Sequence, residues 1–207
     1  MRTIRRRQYK HTFDFFDSPN LVNSYWAGFI AADGYVNNER KCLRLLVARK
    51  DKAILYRFKR AIQFTGPVCD DTHGMSYVQI YAADRLLYDL RKNFNITTKK
   101  SLTLKPPDLK VYSKLVSLAF IAGYIDGDGW YTKSRNTPCI GFQGTKRVVN
   151  WICGYLNKYF PADRTVTQAR KRKYSRCYQA TIYGTRVSFL QHQVDLLDLP
   201  VLKRKWK

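Results

Sequence analysis

Two short stretches of this 207-residue chain place an aspartate in the same unusual setting. Residues 25–36 read YWAGFIAADGYV and residues 120–131 read FIAGYIDGDGWY, and each ends its apolar run on Asp-Gly-aromatic. The acids are Asp33 and Asp128. An apolar run of this kind reads as a helix, so each carboxylate falls at a helix carboxyl end, where the macrodipole and the free carbonyls are already negative. Something positive must sit there. A divalent cation held by Asp33 and Asp128, the neighbouring carbonyls of Ala32 and Gly127, water and a phosphate oxygen would resolve the conflict. Mg2+ favours such mixed oxygen sites, with Mn2+ as the substitute ion.

Both acids can serve one site only if their helices touch. Gly28 and Gly123 lie inside the apolar runs, where each costs about 1 kcal/mol relative to alanine. Each is followed four residues later by another small residue, Ala32 and Gly127. Small residues four apart on one face let two helix backbones approach closely. Gly28, Ala32, Gly123 and Gly127 are therefore expected to form a helix–helix interface across a pseudo-twofold axis.

The flanking sequence repeats as well. After each Asp-Gly comes a polar turn, then CLRLLVARKDKAILYRFKRAI or CIGFQGTKRVVNWICGYLNKYF, then SYVQIYAADRLLYDL or CYQATIYGTRVSFLQ, and finally a basic cluster. Strand-type alternation followed by helical periodicity gives helix, two strands, helix, two strands, helix in each half. Asp51 and Thr145 read as N-caps of the second helix of each half. The fold class is α+β: a pseudo-twofold pair of αββαββα halves, each with an antiparallel sheet covered by helices on one face. Residues 1–20 read as a basic N-terminal arm, 21–105 as the first repeat, 106–114, with two prolines, as a linker, and 115–207 as the second repeat.

Composition points to the partner. The formal charge is +23, divided as +3 over residues 1–20, +8 over 21–105 and +12 over 106–207. Positive charge spread through folded sequence, interleaved with strand-forming aromatics, suits a surface that lies along nucleic acid. With 45% hydrophobic residues the chain can bury a core, which excludes a wholly disordered basic tail. Five cysteines without a CxxC pair and three histidines supply neither a disulfide nor a zinc framework. The apolar run 115–125 is about half the roughly 20 residues a bilayer crossing needs, so no membrane partner is expected, and no export signal is readable. The expectation is an intracellular protein.

The segments WAGFIAADG and IAGYIDGDG resemble the paired signature helices of the LAGLIDADG homing endonucleases in their single-chain, two-motif form, and residues 21–207 follow that family's repeat layout. The resemblance implies a DNA-binding saddle with the signature helices at its centre. It further implies metal-dependent cleavage of both strands of a long double-stranded target, by a chain functional as a monomer. Asp33 and Asp128 are the implied metal ligands, holding two or three Mg2+ ions. The family's earlier acid is present as Asp126 in the second motif, but the first has Ala31. Counting back from the helix caps matches Arg49 with Gln143 and Lys50 with Gly144, and the resemblance places this strand end at the active site. It also implies one active-site lysine per half: Lys100 or Lys99, and Lys205 or Lys203.

Candidates for contact with DNA are Arg40, Lys41, Arg44, Lys50, Gln79 and Tyr81 in the first half, and Lys133, Arg135, Gln168, Arg170, Arg172, Lys173, Arg176 and Gln179 in the second. Arginine and glutamine can pair with base edges in the major groove. The leading segment RTIRRRQYK (2–10) of the basic arm is expected to order only on DNA. Two other readings fit the same fold: an intron RNA maturase, for which intron RNA is the partner, and a DNA-binding regulator that does not cleave. The resemblance suits the cytoplasm or nucleoid of a bacterial or phage-infected host, or an organelle.

Overall fold

A computed structural model describes residues 9–161, 167–171 and 176–206. The first half begins with α1 (Leu21–Asp33), whose amino end is closed by a reciprocal cap: Asn20 accepts from the Asn23 amide and Asn23 from the Asn20 amide. There follow β1 (Gly34–Asn37), β2 (Cys42–Ala48), a 3-10 turn (Arg49–Asp51), α2 (Lys52–Ala61), β3 (Cys69–Asp70), β4 (Met75–Ile80), α3 (Asp84–Phe94) and the one-turn helix α4 (Lys100–Thr103). The second half repeats the plan with α5 (Lys114–Asp128), β5 (Trp130–Ser134), β6 (Thr137–Gly144), α6 (Lys146–Tyr159), β7 (Arg170–Lys171), β8 (Tyr178–Tyr183), α7 (Thr185–Asp195) and a closing 3-10 turn (Lys203–Lys205). Each half forms a four-stranded antiparallel sheet, ordered β1-β2-β4-β3 and β5-β6-β8-β7. The expected α+β class and αββαββα order are both present.

α1 and α5 are buried almost all round, including Tyr25, Trp26, Phe29, Phe120, Ile121 and Tyr124, and they make the most extensive contact between any two elements. A helix apolar on every side belongs in a core, and these two form its centre. The glycines explain the closeness. A Cβ on Gly28 would lie 2.0 Å from the Phe120 carbonyl oxygen, and one on Gly123 would lie 1.8 Å from that of Tyr25. At the carboxyl ends a Cβ on Gly127 would meet the Cβ of Ala32 at 2.3 Å. The expected small-residue interface is present along the carboxyl-terminal two turns of both helices.

Residues 9–20 pack against the first half: the Thr12 amide donates to the Ile62 carbonyl, Phe16 is buried, and Arg85 pairs with Asp17 at 2.6 Å. Phe16 supplies the apolar anchor that the basic composition conceals, and residues 1–8 lie outside the described chain. Thr145 caps α6 by accepting from the Val148 amide, but Asp51 makes no capping bond and instead takes two hydrogen bonds from Arg204. A guanidinium fork outcompetes backbone amides for a carboxylate. The linker is also packed, with Pro107 and Leu109 buried and the Pro106 carbonyl accepting from Asn95.

Candidate metal centre and nucleic-acid face

α1 and α5 end together, which brings Asp33 and Asp128 into one electrostatic neighbourhood at the carboxyl ends of two touching helices. Asp33 is exposed and Asp128 half-buried, each on ground walled by protein on one side. Loss of hydration raises the pKa of both carboxyls. For Asp128 the negative charge of Asp33 raises it further, while Lys100, Lys205 and a hydrogen bond from the Gln143 amide oppose the rise. For Asp33 the charges of Lys205 and Lys100 do the same. Among the described residues neither carboxylate has a cationic group within ion-pair distance.

The lysines are occupied elsewhere. Lys100 Nζ donates to the carbonyls of Ala31 (2.8 Å) and Ala32 (2.6 Å), at the end of α1. Lys205 Nζ donates to those of Asp126 (2.5 Å) and Gly127 (2.7 Å), at the end of α5. Both side chains are buried, whereas Lys99 and Lys203 are exposed, so the structure distinguishes within each cluster. Each ammonium caps carbonyls left open by its helix and meets the negative end of the dipole. Burial pulls Lys100 down to about 8, against the raising effect of Asp128 and Asp33, and lowers Lys205 as well.

The Ala32 and Gly127 carbonyls each accept one hydrogen bond from a lysine and keep a second lone pair for an ion, so they stay in the ligand set with the two carboxylates, and water and phosphate oxygens would complete the shell. Hard oxygen ligands of this kind fit Mg2+ or Mn2+, which keep water in their shells. No cluster of three or more His, Cys, Asp or Glu side chains occurs among the described residues.

Strand register corrects another correspondence. Tyr35 pairs with Arg44 and Trp130 with Gly141, so extending both ladders sets Asp33 opposite Leu46 and Asp128 opposite Gln143. Gln143 therefore matches Leu46, not Arg49. Three added residues, the 3-10 turn Arg49–Asp51, misled the count from the caps. Arg49 is exposed and donates to the Asp71 carbonyl at 2.9 Å, and Lys50 is exposed in the same turn. The second half thus brings a carboxamide to its aspartate where the first offers leucine. Gly144 is held open by Tyr124, whose hydroxyl donates to the Gln143 carbonyl at 2.9 Å and would collide with a Cβ at residue 144.

The sheet faces turned away from the core carry several expected contact residues. Arg44 lies opposite Gln79, with its guanidinium 4.2 Å from the centre of the Tyr77 ring. Gln79 also donates to Cys42 Sγ, and half-exposed Tyr81 follows β4. In the second half Gln143, Gln179 and Arg170 form one row across β6, β8 and β7. Arg40 and Arg135 sit in hairpin turns, and Gln168 and Arg176 are exposed beside β7 and β8. Lys41 is tied to Asp84 at 2.8 Å, and alternation along β5 turns Lys133 away from the face holding Trp130. Arg172 and Lys173 lie outside the described residues.

Sequence reading missed the aromatic members of these faces, Tyr35, Tyr77 and Trp130, whose indole covers Gly141. Period-two alternation could have found them. It also missed the partners of Asp126, a buried carboxylate that takes hydrogen bonds from Tyr25, Leu202 and Trp206. No local pattern pairs residue 126 with residues 25 and 206.

This architecture is the fold of the LAGLIDADG homing endonucleases. Its solved neighbours include I-SmaMI bound to uncleaved DNA target in the presence of calcium ions (12% identity, 90% of this chain and 87% of that one, TM-score 0.58). Another is the I-LtrWI LAGLIDADG homing endonuclease bound to target DNA (11% identity, 93% and 87%, TM-score 0.56). A third is the I-SmaMI LAGLIDADG homing endonuclease bound to cleaved DNA (12% identity, 90% and 86%, TM-score 0.59). At such identities the backbone plan is shared and most side chains are not. No protein-family model and no curated protein matches the sequence. No described helix is long and apolar enough to cross a membrane.

Proposed function

We propose that this chain is a site-specific DNA endonuclease that hydrolyses one phosphodiester in each strand of a double-stranded target, with Mg2+ as its ion and Mn2+ as the substitute. The observation that carries this reading is the pair of carboxylates, Asp33 and Asp128, at adjoining helix ends with no direct ion pair among the described residues, in a chain of charge +23. A protein that only binds a polyanion has no use for two acids facing it. The named neighbours, homing endonucleases in complex with DNA, support the same reading.

Bound divalent metal would polarise the scissile phosphate and lower the pKa of a bound water. The chain's own residues do the rest. Asp33 and Asp128 are the side chains that would hold the ion. Gln143, hydrogen-bonded to Asp128, orients that carboxylate and can order a water beside it. Lys100 and Lys205 keep the carboxyl-terminal carbonyls from repelling phosphate and add positive potential where the leaving oxygen gains charge. Arg44, Gln79, Arg170 and Gln179 lie along the grooves, mostly positioning the protein on phosphates. Both helix ends belong to one chain, so a monomer has the parts for both cuts.

The test is a pool of plasmids with randomised inserts incubated with the protein in Mg2+ or in EDTA, followed by recovery and sequencing of linear molecules. Linear products with one shared insert sequence in Mg2+ alone are expected. A pool retained on the protein but left supercoiled in Mg2+ and Mn2+ would sink the endonuclease reading in favour of a regulator.

A further inference from the structure

We propose that Asp126, Tyr25 and Trp206 form a positioning device for Lys205 that has no equivalent in the first half, so that the two strands are cut with unequal support. The strand claim rests on the endonuclease reading above; the positioning claim does not. Lys205 lies in the closing 3-10 turn, three residues long, and so short a turn with its poorer hydrogen-bond geometry holds a side chain in place only when tied from outside. The tie is the Asp126 carboxylate. It accepts from the Leu202 amide (2.9 Å) on one side of Lys205 and from the Trp206 indole Nε1 (2.8 Å) on the other. The Tyr25 hydroxyl, 2.6 Å away on α1, is a third donor. The Asp126 carbonyl itself accepts from Lys205 Nζ. One buried residue thus brackets the turn and receives the ammonium that the turn presents.

The pseudo-twofold relation shows what the first half lacks. The separation of 95 that relates Asp33 to Asp128 also relates Tyr25 to Phe120 and Ala31 to Asp126. The hydroxyl–carboxylate pair of Tyr25 and Asp126, made across the two helices, thus corresponds to a phenyl and a methyl, Phe120 and Ala31. Placing Lys205 on Lys100 sets Trp206 against Ser101, which is exposed and anchors nothing. Lys100 is held instead by its own helix α4, after which buried Leu104 accepts from the Thr145 hydroxyl at 2.7 Å. Changes at residue 126 should therefore reach Lys205 and spare Lys100.

Asp126→Asn tests this. A carboxamide has one acceptor oxygen for three donors, and its NH2 must point at one of them. Trp206→Phe removes one donor while keeping an aromatic ring, and serves if the first variant folds poorly. In both proteins without metal or DNA, amide exchange at Leu202 should quicken while that at Leu104 stays as in the parent. On a supercoiled plasmid carrying one site recovered from the selection, nicked circles should accumulate. End-labelling should show one strand cut at least tenfold slower and the other within twofold of the parent. Equal slowing of both strands would mean a general effect on the core and overturn the proposal, as would unchanged Leu202 exchange. Should the parent cut nothing in Mg2+, the endonuclease reading and the strand claim fail together, and Leu202 exchange alone still decides whether Asp126 positions the turn.

Discussion

Asp33 and Asp128 are left without a direct ion pair by lysines that serve carbonyl groups instead, and this division of labour separates two classes of mutant. Asp33→Asn or Asp128→Asn removes a charge that makes no direct ion pair among the described residues. Each should abolish double-strand cleavage while binding to the same DNA is retained or strengthened, as gel shift alongside plasmid linearisation would show; full cleavage in both variants would refute the assignment. Lys100→Met acts differently, because the Ala31 and Ala32 carbonyls lose their donor. An unsatisfied buried acceptor costs about 1–3 kcal/mol, so urea unfolding should show that loss together with slower cleavage. Asp126 supplies a pH signature. Burial, opposed by its three donors, pushes its carboxyl up from 3.8 to about 6. A folded-state value above the unfolded one contributes stability that is present below 3.8 and lost as pH rises through about 6. The stability of the parent relative to Asp126→Asn should therefore fall by about 2 kcal/mol between pH 4 and pH 7, because each tenfold gain in proton affinity on folding is worth about 1.4 kcal/mol and part of the loss already lies below pH 4. Urea titrations at several pH values would measure it.

Among the elements, the α1–α5 pair decides whether there is a site at all. Gly28 and Gly123 each face a backbone carbonyl of the other helix, and backbone cannot step aside as a flexible side chain can. Gly123→Ala should destabilise the protein by about 3 kcal/mol or more, beyond ordinary overpacking, and cleavage should fall even at temperatures where the variant remains folded. Calorimetry with plasmid cleavage on one preparation would separate the two effects. This interface was legible in the sequence because helical spacing of small residues is a local pattern. The match of Arg49 with Gln143 failed because two rulers, strand register and helix caps, differ by the three residues of the 3-10 turn, and only backbone pairing shows which one applies. Asp51 does occupy the N-cap position of α2, but its side chain makes no capping bond, because a competitor 153 residues away, Arg204, takes it.

At the scale of the molecule, the two sheets expose Arg44, Gln79, Arg170 and Gln179 on faces turned from a single continuous core, and the proposed partner is a duplex lying across both. Binding to non-specific duplex should weaken steeply with salt. With six or more phosphates neutralised, the log-log slope should be steeper than about −5, at roughly −0.9 per contact. A slope near −1 by fluorescence anisotropy would mean that the charge does not act as an extended surface. The sequence alone determined the two-fold plan, the helices that touch, the paired acids and the preference for a polyanion, since repeats, spacing and charge are properties of the chain read in order. Tertiary structure decided which lysine of each cluster is buried, which carbonyls those lysines meet, that Gln143 attends Asp128, and that Asp126 accepts from both sides of the turn Lys203–Lys205. Those outcomes depend on side chains from distant segments competing for the same few hydrogen-bonding groups, and such competition is settled only when the segments are packed together.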